Sequence, residues 1–329
     1  MKKKSMKINI AVVGATGMVG QKMLEILTEK KLDGNYYFYA SEKSVGKTIQ
    51  FLGKRKKILQ LCKENIKNKK IDYALFALSA SHAKEFVPEF VKIGAVAIDN
   101  SSAFRLQKDI PLVVPEVNFD AVKKHHKIIA NPNCSTIQAV AALSPLDKKY
   151  KIKRVIYSTY QAVSGAGTAG MDDLKTGSTT KFAHTICNNV LPHIDGFEAD
   201  GYTKEEHKMI DETKKILGNG KMKISATTVR VPITNCHSES IFVQFKKRCS
   251  VKEAIEVLRA TPGIVVMDDP QNNVYPMPIV ADGKDEVFVG RIRLDKTVKS
   301  GLDLWVVADN LRKGAATNAI QILQKLLEG

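Results

Sequence analysis

The chain has little that points to a membrane, an oxidising compartment or a metal centre. No apolar run approaches the roughly 18 residues a membrane span requires. Its first residues, Met1-Lys2-Lys3-Lys4-Ser5-Met6-Lys7, lead into a strand-like segment and not a signal-peptide core. Cytoplasm is therefore the expected location, with no membrane partner. The cysteines, at 62, 134, 187, 236 and 249, form no CxxC pair and no zinc spacing, which argues against a disulfide framework and against a metal site. Acidic residues are scarce relative to basic ones, 34 against 51, for a formal charge of +17. Lys54-Arg55-Lys56-Lys57 and the lysines from Lys63 to Lys70 have the charge to neutralise phosphates. They fall, however, in expected connecting segments without interleaved aromatics for base stacking. A solvated lysine-rich surface is the simpler account, one that also draws in anionic substrates and cofactors, so no nucleic-acid partner is expected.

What is present describes an ordinary globular chain. At 329 residues and 44% hydrophobic, it is long enough for two domains that each bury a core. Ile8 to Val13 reads as a short buried strand, followed by Gly14-Ala15-Thr16-Gly17-Met18-Val19-Gly20 and a helical pattern through Met23, Leu24 and Leu27. Strand, glycine loop and helix in that order suit a dinucleotide. Glycine has no Cβ where backbone must approach a pyrophosphate, which then sits on the helix N-terminus. The next strand, Tyr36 to Ala40, ends in Ser41-Glu42-Lys43-Ser44, where such folds choose between ribose hydroxyl and ribose phosphate. Lys43 with Ser41 and Ser44 favours the 2′-phosphate of NADP; Glu42 would suit the diol of NAD.

Strands are expected at Asp72–Leu78, Ala95–Asp99 and Ile128–Ala130, with a helix at His82–Ile93. This alternation predicts an α/β fold whose N-terminal part is a Rossmann-like doubly wound parallel sheet. Arg105 lies in the polar loop after Asp99, at the carboxyl end of the sheet; it reads equally as an anion clamp or a surface arginine. Beyond Asn133 the texture changes to long β-rich runs, at Arg154–Tyr160, Met222–Val231, Ser240–Phe245, Val287–Leu294 and Leu302–Ala308. They predict a second, α+β domain with a largely antiparallel sheet. Phe182 to Phe197 shows no period, Glu205–Leu217 reads as a helix, and Leu311–Leu327 reads as an amphipathic helix packing back on the first domain. Glu205 and Lys208, three apart, read by themselves as a surface ion pair.

The chemistry centres on Asn131-Pro132-Asn133-Cys134-Ser135-Thr136, which precedes the apolar-periodic run Ile137 to Leu146. A thiol at a helix N-terminus faces unpaired N–H groups that favour the thiolate. Cys134 is thus a candidate nucleophile, although a small buried hydrophobe is the commoner use of a free cysteine. Gln161-Ala162-Val163-Ser164-Gly165-Ala166-Gly167 follows a strand, and its small residues permit close approach of a planar ligand. His237, read as lying in a break between strands, is the histidine best placed to project into a cleft.

These motifs, in this order, with Arg230-Val231-Pro232, His237-Ser238-Glu239 and Asp309-Asn310-Leu311-Arg312-Lys313-Gly314-Ala315-Ala316, closely resemble aspartate-β-semialdehyde dehydrogenases over nearly the whole chain. The resemblance implies NADPH-dependent reduction of L-aspartyl-β-phosphate to the semialdehyde with release of phosphate, on the shared route to lysine, threonine and methionine. By position it implies Cys134 as acylated nucleophile, His237 as acid/base with a pKa near neutrality, and Gln161 as the residue that orients the acyl group. Arg230 and Glu205 would meet the substrate's α-carboxylate and α-amino group, and Arg105, Lys208 and Asn133 its phosphate. Gly14, Thr16, Gly17, Met18, Val19, Ser41, Lys43, Ser44, Ser164, Gly165 and Asn310 would line the NADP site. It further implies residues 1–133 with 311–329 as the dinucleotide domain, 134–310 as the catalytic and dimerisation domain, and a homodimer or homotetramer. Cys236 stands where the family pattern has glycine, and Lys43 where many bacterial relatives carry arginine. The alternatives are a reductase of N-acetyl-γ-glutamyl phosphate, whose acetylated nitrogen has less use for Glu205, and a non-catalytic dinucleotide-binding sensor.

Overall fold

A computed structural model describes residues 7–328; the lysine-rich start, residues 1–6, lies outside the described residues. The chain divides into two compact units, residues 1–115, 119–132 and 315–329 in one, and 116–118 with 133–314 in the other.

The first unit is built on a seven-stranded sheet of order β3-β4-β2-β1-β5-β6-β7. Its strands are β1 (Asn9–Val13), β2 (Asn35–Ala40), β3 (Thr48–Phe51), β4 (Lys54–Gln60), β5 (Tyr73–Phe76), β6 (Val96–Asp99) and β7 (Ile128–Ala130). All neighbours pair in parallel except β3 with β4, the Rossmann-like pattern expected. The basic stretch read as a connection, Lys54 to Lys57, is part of β4. Ile58 is its only fully buried side chain, and so little apolar periodicity leaves no strand signal in the residues. The C-terminal helix is shorter than its apolar stripe: Arg312–Ala316 is a π-turn and the α-helix runs Thr317–Glu328. Its Ala319, Ile320, Ile322 and Leu323 join the core of this unit with Ile10, Val12, Leu75 and Ile98.

After β1 the chain enters the helix Met18–Lys30, whose N-cap is Gly17 without any side-chain capping bond. The N–H groups of its first turn therefore remain open to a ligand. Gly14 turns at φ 87°, and a Cβ on Gly20 would lie 2.1 Å from the Gly14 carbonyl oxygen. The spacing of these glycines is thus a packing requirement between loop and helix. Gly20→Ala should cost about 3 kcal/mol, the upper range for overpacking a closed site. A shifted urea midpoint checks it; an unshifted one would contradict the close approach.

The second unit carries a six-stranded sheet of order β11-β12-β13-β10-β8-β9. Its strands are β8 (Ile152–Gln161), β9 (Lys223–Arg230), β10 (His237–Phe245), β11 (Ile264–Val266), β12 (Val287–Leu294) and β13 (Gly301–Ala308). The central pairs β12-β13, β13-β10 and β10-β8 are antiparallel and the outer pairs parallel. One face is apolar: Val155, Tyr157, Ile241, Val243, Leu302, Leu304 and Val306 pack under the helix Cys134–Tyr150. Strand alternation therefore dictates which side chains reach that helix.

Candidate active site

Cys134 is the first residue of the helix Cys134–Tyr150, and Asn133 is its N-cap, accepting from the N–H groups of Ser135 and Thr136 through its side chain. This end of the helix carries the positive pole of a 17-residue dipole, with the Cys134 thiol half-buried there. A Cβ on Gly314 would come within 2.9 Å of the Cys134 Cβ, so the loop Asp309–Gly314 can pass Cys134 only with glycine at that point.

The sheet supplies the partners as one row across its helix-covered face. Register aligns Arg230 on β9 with Gln161 on β8, and Gln161 with His237 on β10. Three residues from three separate stretches thus become neighbours at the top of the sheet. His237 Nε2 lies 3.1 Å from Cys134 Sγ, and its Nδ1 accepts the N–H of Ala162 at 3.1 Å. In the neutral ring the proton then sits on Nε2, facing the sulfur. His237 begins β10 and is fully buried, not displayed in a break between strands. Its strand starts at the histidine because Cys236 turns at φ 72°, a left-handed conformation that glycine adopts more easily. The Asn310 Oδ1 holds that turn by accepting the Cys236 N–H at 2.9 Å.

Burial, then the charge of Arg230, lower the His237 pKa from the ordinary 6.5 to about 3, against the smaller opposing pull of Glu205. The free site therefore holds a neutral imidazole, which corrects the near-neutral pKa expected for it. A histidine whose folded pKa lies below its unfolded one loses stability as pH falls through the unfolded value, because only the unfolded chain takes up the proton. By NMR, the ring of the ligand-free protein should show no titration between about pH 5 and 8; a midpoint near 6.5 would contradict this environment.

Glu205, on the helix Lys204–Ile216, is buried and central. It accepts from Asn133 Nδ2 at 2.9 Å, from Gln161 Nε2 at 3.3 Å and from Lys208 Nζ at 3.1 Å, and Lys208 also reaches Asp195 at 2.7 Å. The pair read as a surface contact therefore joins a half-buried Lys208 to a buried Glu205, which also holds the Asn133 cap of the Cys134 helix. Burial raises the Glu205 pKa, but Lys208, Asn133 and Arg230 together outweigh it and the net shift is downward. Gln161 also donates to Ser135 Oγ at 2.6 Å. Arg230 gives Nη1 to the Ala162 carbonyl at 2.6 Å, while its buried Nε has no partner among the described residues. An unsatisfied guanidinium N–H in an interior is a strong anchor for a carboxylate. The aperiodic Phe182–Phe197 stretch fixes this arginine: Leu191 exchanges both backbone bonds with Arg230, and the Phe182 ring lies 6.0 Å from its guanidinium carbon. Gly165 packs on the same groups, since a Cβ there would sit 3.0 Å from Arg230 Nη1 and 3.4 Å from His237 Cε1. Ser164 and Asn310 are buried and hydrogen-bonded to each other.

In the first unit, Thr16 and Gly17 are exposed on the loop and Met18 and Val19 open its helix. Ser41 and Lys43 are exposed and Ser44 buried around a 3-10 turn after β2. Arg105 is buried and donates to the carbonyls of Asn131 at 3.0 Å and Asn100 at 2.7 Å, which ties its loop to the ends of β6 and β7. One metal-like cluster, Cys236 with Asp282 and Asp309, had no signal in sequence spacing. The Asp309 carboxylate already accepts the N–H groups of Gly283, Leu311 and Arg312, and burial, then Asp309 and Asp282, push the Cys236 thiol far up. These are the properties of a structural turn.

Residues 9–125 match the family model of the semialdehyde dehydrogenase NAD binding domain, and residues 143–313 that of the semialdehyde dehydrogenase dimerisation domain. The chain is 53% identical to the aspartate-semialdehyde dehydrogenase of Aquifex aeolicus (strain VF5) over 98% of its own length and 99% of the relative's. It superposes with a TM-score of 0.94 and 41% identity on Vibrio cholerae aspartate semialdehyde dehydrogenase II complexed with ASA, covering 98% of this chain and 99% of that one. A Candida albicans aspartate semialdehyde dehydrogenase solved with NADP is similar at TM-score 0.78 and 29% identity, with 98% and 99% covered.

Proposed function

Since this chain belongs to the aspartate-semialdehyde dehydrogenase family, we propose that it reduces L-aspartyl-β-phosphate to L-aspartate-β-semialdehyde with NADPH, releasing phosphate. The observation that carries this reading is the helix-capped Cys134 thiol 3.1 Å from His237 Nε2, in one row with Gln161 and Arg230. The reaction belongs to amino-acid biosynthesis, on the route to lysine, threonine and methionine, in the cytoplasm. No helix among the described residues is long and apolar enough to cross a membrane.

Arg230 takes the α-carboxylate on its fork and Glu205 the α-ammonium, so the β-carbonyl is presented to Cys134 by two charged anchors. Asn133, Lys208 and Arg105 serve the phosphate. Cys134 reacts as the thiolate, its proton released to solvent; sulfur attacks the acyl carbon, the S–C bond forms, and the C–O bond to phosphate breaks, leaving a thioester on Cys134. His237 Nε2–H, beside the sulfur, donates to the oxyanion. The substrate's carboxylate neutralises Arg230 and its phosphate adds negative charge. Both changes raise the His237 pKa above its value in the free site, so the ring keeps its Nε2 proton and presents it to the developing oxyanion. NADPH, when bound, supplies the hydride that reduces the thioester. Collapse of the thiohemiacetal oxygen then breaks the C–S bond, returns the thiolate and frees the aldehyde.

The open N–H groups after Gly17 and the close-packed Gly14 and Gly20 fit a pyrophosphate. Gly14, Thr16, Gly17, Met18 and Val19 hold it, Ser41, Lys43 and Ser44 select the 2′-phosphate, and Ser164, Gly165 and Asn310 serve the nicotinamide end. Residues 134–310 also provide the surface for a homodimer or homotetramer. The reverse assay tests the whole reading: aspartate semialdehyde and phosphate with NADP should turn over faster than with NAD. Preference for N-acetylglutamate semialdehyde, or NADP binding without turnover, would refute it.

A further inference from the structure

One rung below the catalytic row, the same face of the sheet carries a second polar row. Register aligns Thr228 on β9 with Thr159 on β8, and Thr159 with Glu239 on β10. Each lies two positions along its strand from its counterpart above, Arg230, Gln161 and His237, so both rows point toward the same covering helix. That helix adds Gln138, whose Nε2 donates to the carbonyls of His237 at 3.1 Å and Val306 at 3.4 Å. All four side chains are buried, at 0% exposure. Yet Thr159 Oγ1, Thr228 Oγ1, Gln138 Oε1 and both carboxylate oxygens of Glu239 have no hydrogen-bond partner among the described residues. One such atom in an interior is uncommon; a contiguous group on adjacent strands marks a site for ordered water.

We propose that Thr228, Thr159, Glu239 and Gln138 form an internal water site beneath the catalytic row, in which Glu239 is a neutral carboxylic acid that positions His237 and Gln161 through that water. A carboxylate in this place would have, among the described residues, no hydrogen-bond donor to compensate its burial. The titratable groups that face it are Glu205, whose negative charge opposes ionisation further, and Tyr157, one rung lower on β8 with its hydroxyl on Thr213. In agreement, burial first and Glu205 second raise the Glu239 pKa well above the ordinary carboxyl range. As an acid, Glu239 offers one O–H donor and retains an acceptor, while each threonine hydroxyl does both. Water bridging these groups satisfies them together, and gives the strand ends that carry Gln161 and His237 a hydrogen-bonded floor where an apolar floor would leave Gln138 Oε1 unpaired.

The test begins with the ligand-free, full-length protein, so it stands even if the proposed substrate is wrong. Infrared difference spectra of wild type against Glu239→Gln at neutral pH should contain a carboxylic-acid carbonyl band that the variant lacks. A high-resolution crystal structure should show water bonded to Glu239 and at least one of Thr159 and Thr228. An acid whose folded pKa is raised loses stability as pH climbs above its unfolded value, because only the unfolded chain releases the proton. The stability of Glu239→Gln relative to wild type should therefore grow from acidic to neutral pH. In turnover, Glu239→Leu should fall about tenfold further than Glu239→Gln, with the pH profile of Glu239→Gln keeping the wild-type shape. A carboxylate band, a dry site, or a Glu239→Gln profile displaced along the pH axis would overturn the proposal; the spectra and Glu239→Gln decide it even if Glu239→Leu does not fold.

Discussion

Replacing Cys134 with serine should lower kcat by at least about a thousandfold while leaving the fold and dinucleotide binding in place. The substitution exchanges one atom at the first residue of a helix whose cap is made by Asn133, so the start of the helix does not depend on the sulfur. What changes is chemistry. A thiol ionises near pH 8.5, within reach of the helix dipole and the His237 Nε2–H, whereas a hydroxyl stays protonated. An ester on serine would also resist hydride more than a thioester. Circular dichroism and NADP titration establish the intact fold, and steady-state kinetics the loss. Activity within tenfold of wild type would remove Cys134 from the reaction.

Arg230→Leu should cost about a thousandfold in kcat/KM, most of it in KM, because a buried charge-assisted pair is worth several kcal/mol when one side is removed. Two consequences distinguish this from simple damage. Arg230 depresses the His237 pKa, so the variant's imidazole should titrate at higher pH than in wild type. Glu205 loses a stabilising charge, so its carboxyl should ionise less readily. Lysine at the same position should recover only part of the loss, since it restores charge without the planar fork. A variant with normal KM and an unmoved His237 would show that the guanidinium does not face the substrate.

Local chemistry was readable in the residues. The loop Gly14 to Gly20 joins a strand to a helix that is contiguous with it, and Cys134 opens the helix expected after it. Fold class followed from the alternation of apolar runs. Sheet register was not readable: Arg230, Gln161 and His237 meet only because β9 pairs in parallel and β10 antiparallel with β8. Resemblance named those residues, but nothing in their spacing placed them in a row. The same gap hid Glu239, which belongs to a recognised motif and becomes conspicuous only when register sets it beside unsatisfied Thr159, itself beside unsatisfied Thr228. Lys54–Gln60 was missed because strand structure there has one buried side chain to announce it. The burial of Glu205 and the partners it shares with Lys208 depended on Asn133, Gln161 and Asp195, none of them near in sequence. A break at Cys236 concealed that His237 starts a strand, since a non-glycine residue at φ 72° has no sequence signature.

The central claim is a covalent acyl group on Cys134, formed before any hydride is transferred. Rapid mixing of the enzyme with L-aspartyl-β-phosphate in the absence of NADPH, followed by intact mass and peptide mapping, examines that step alone. The account predicts release of one phosphate per active site and an aspartyl adduct on the Cys134 peptide, absent from Cys134→Ala. Phosphate release that requires NADPH, or an adduct on any other residue, would contradict it.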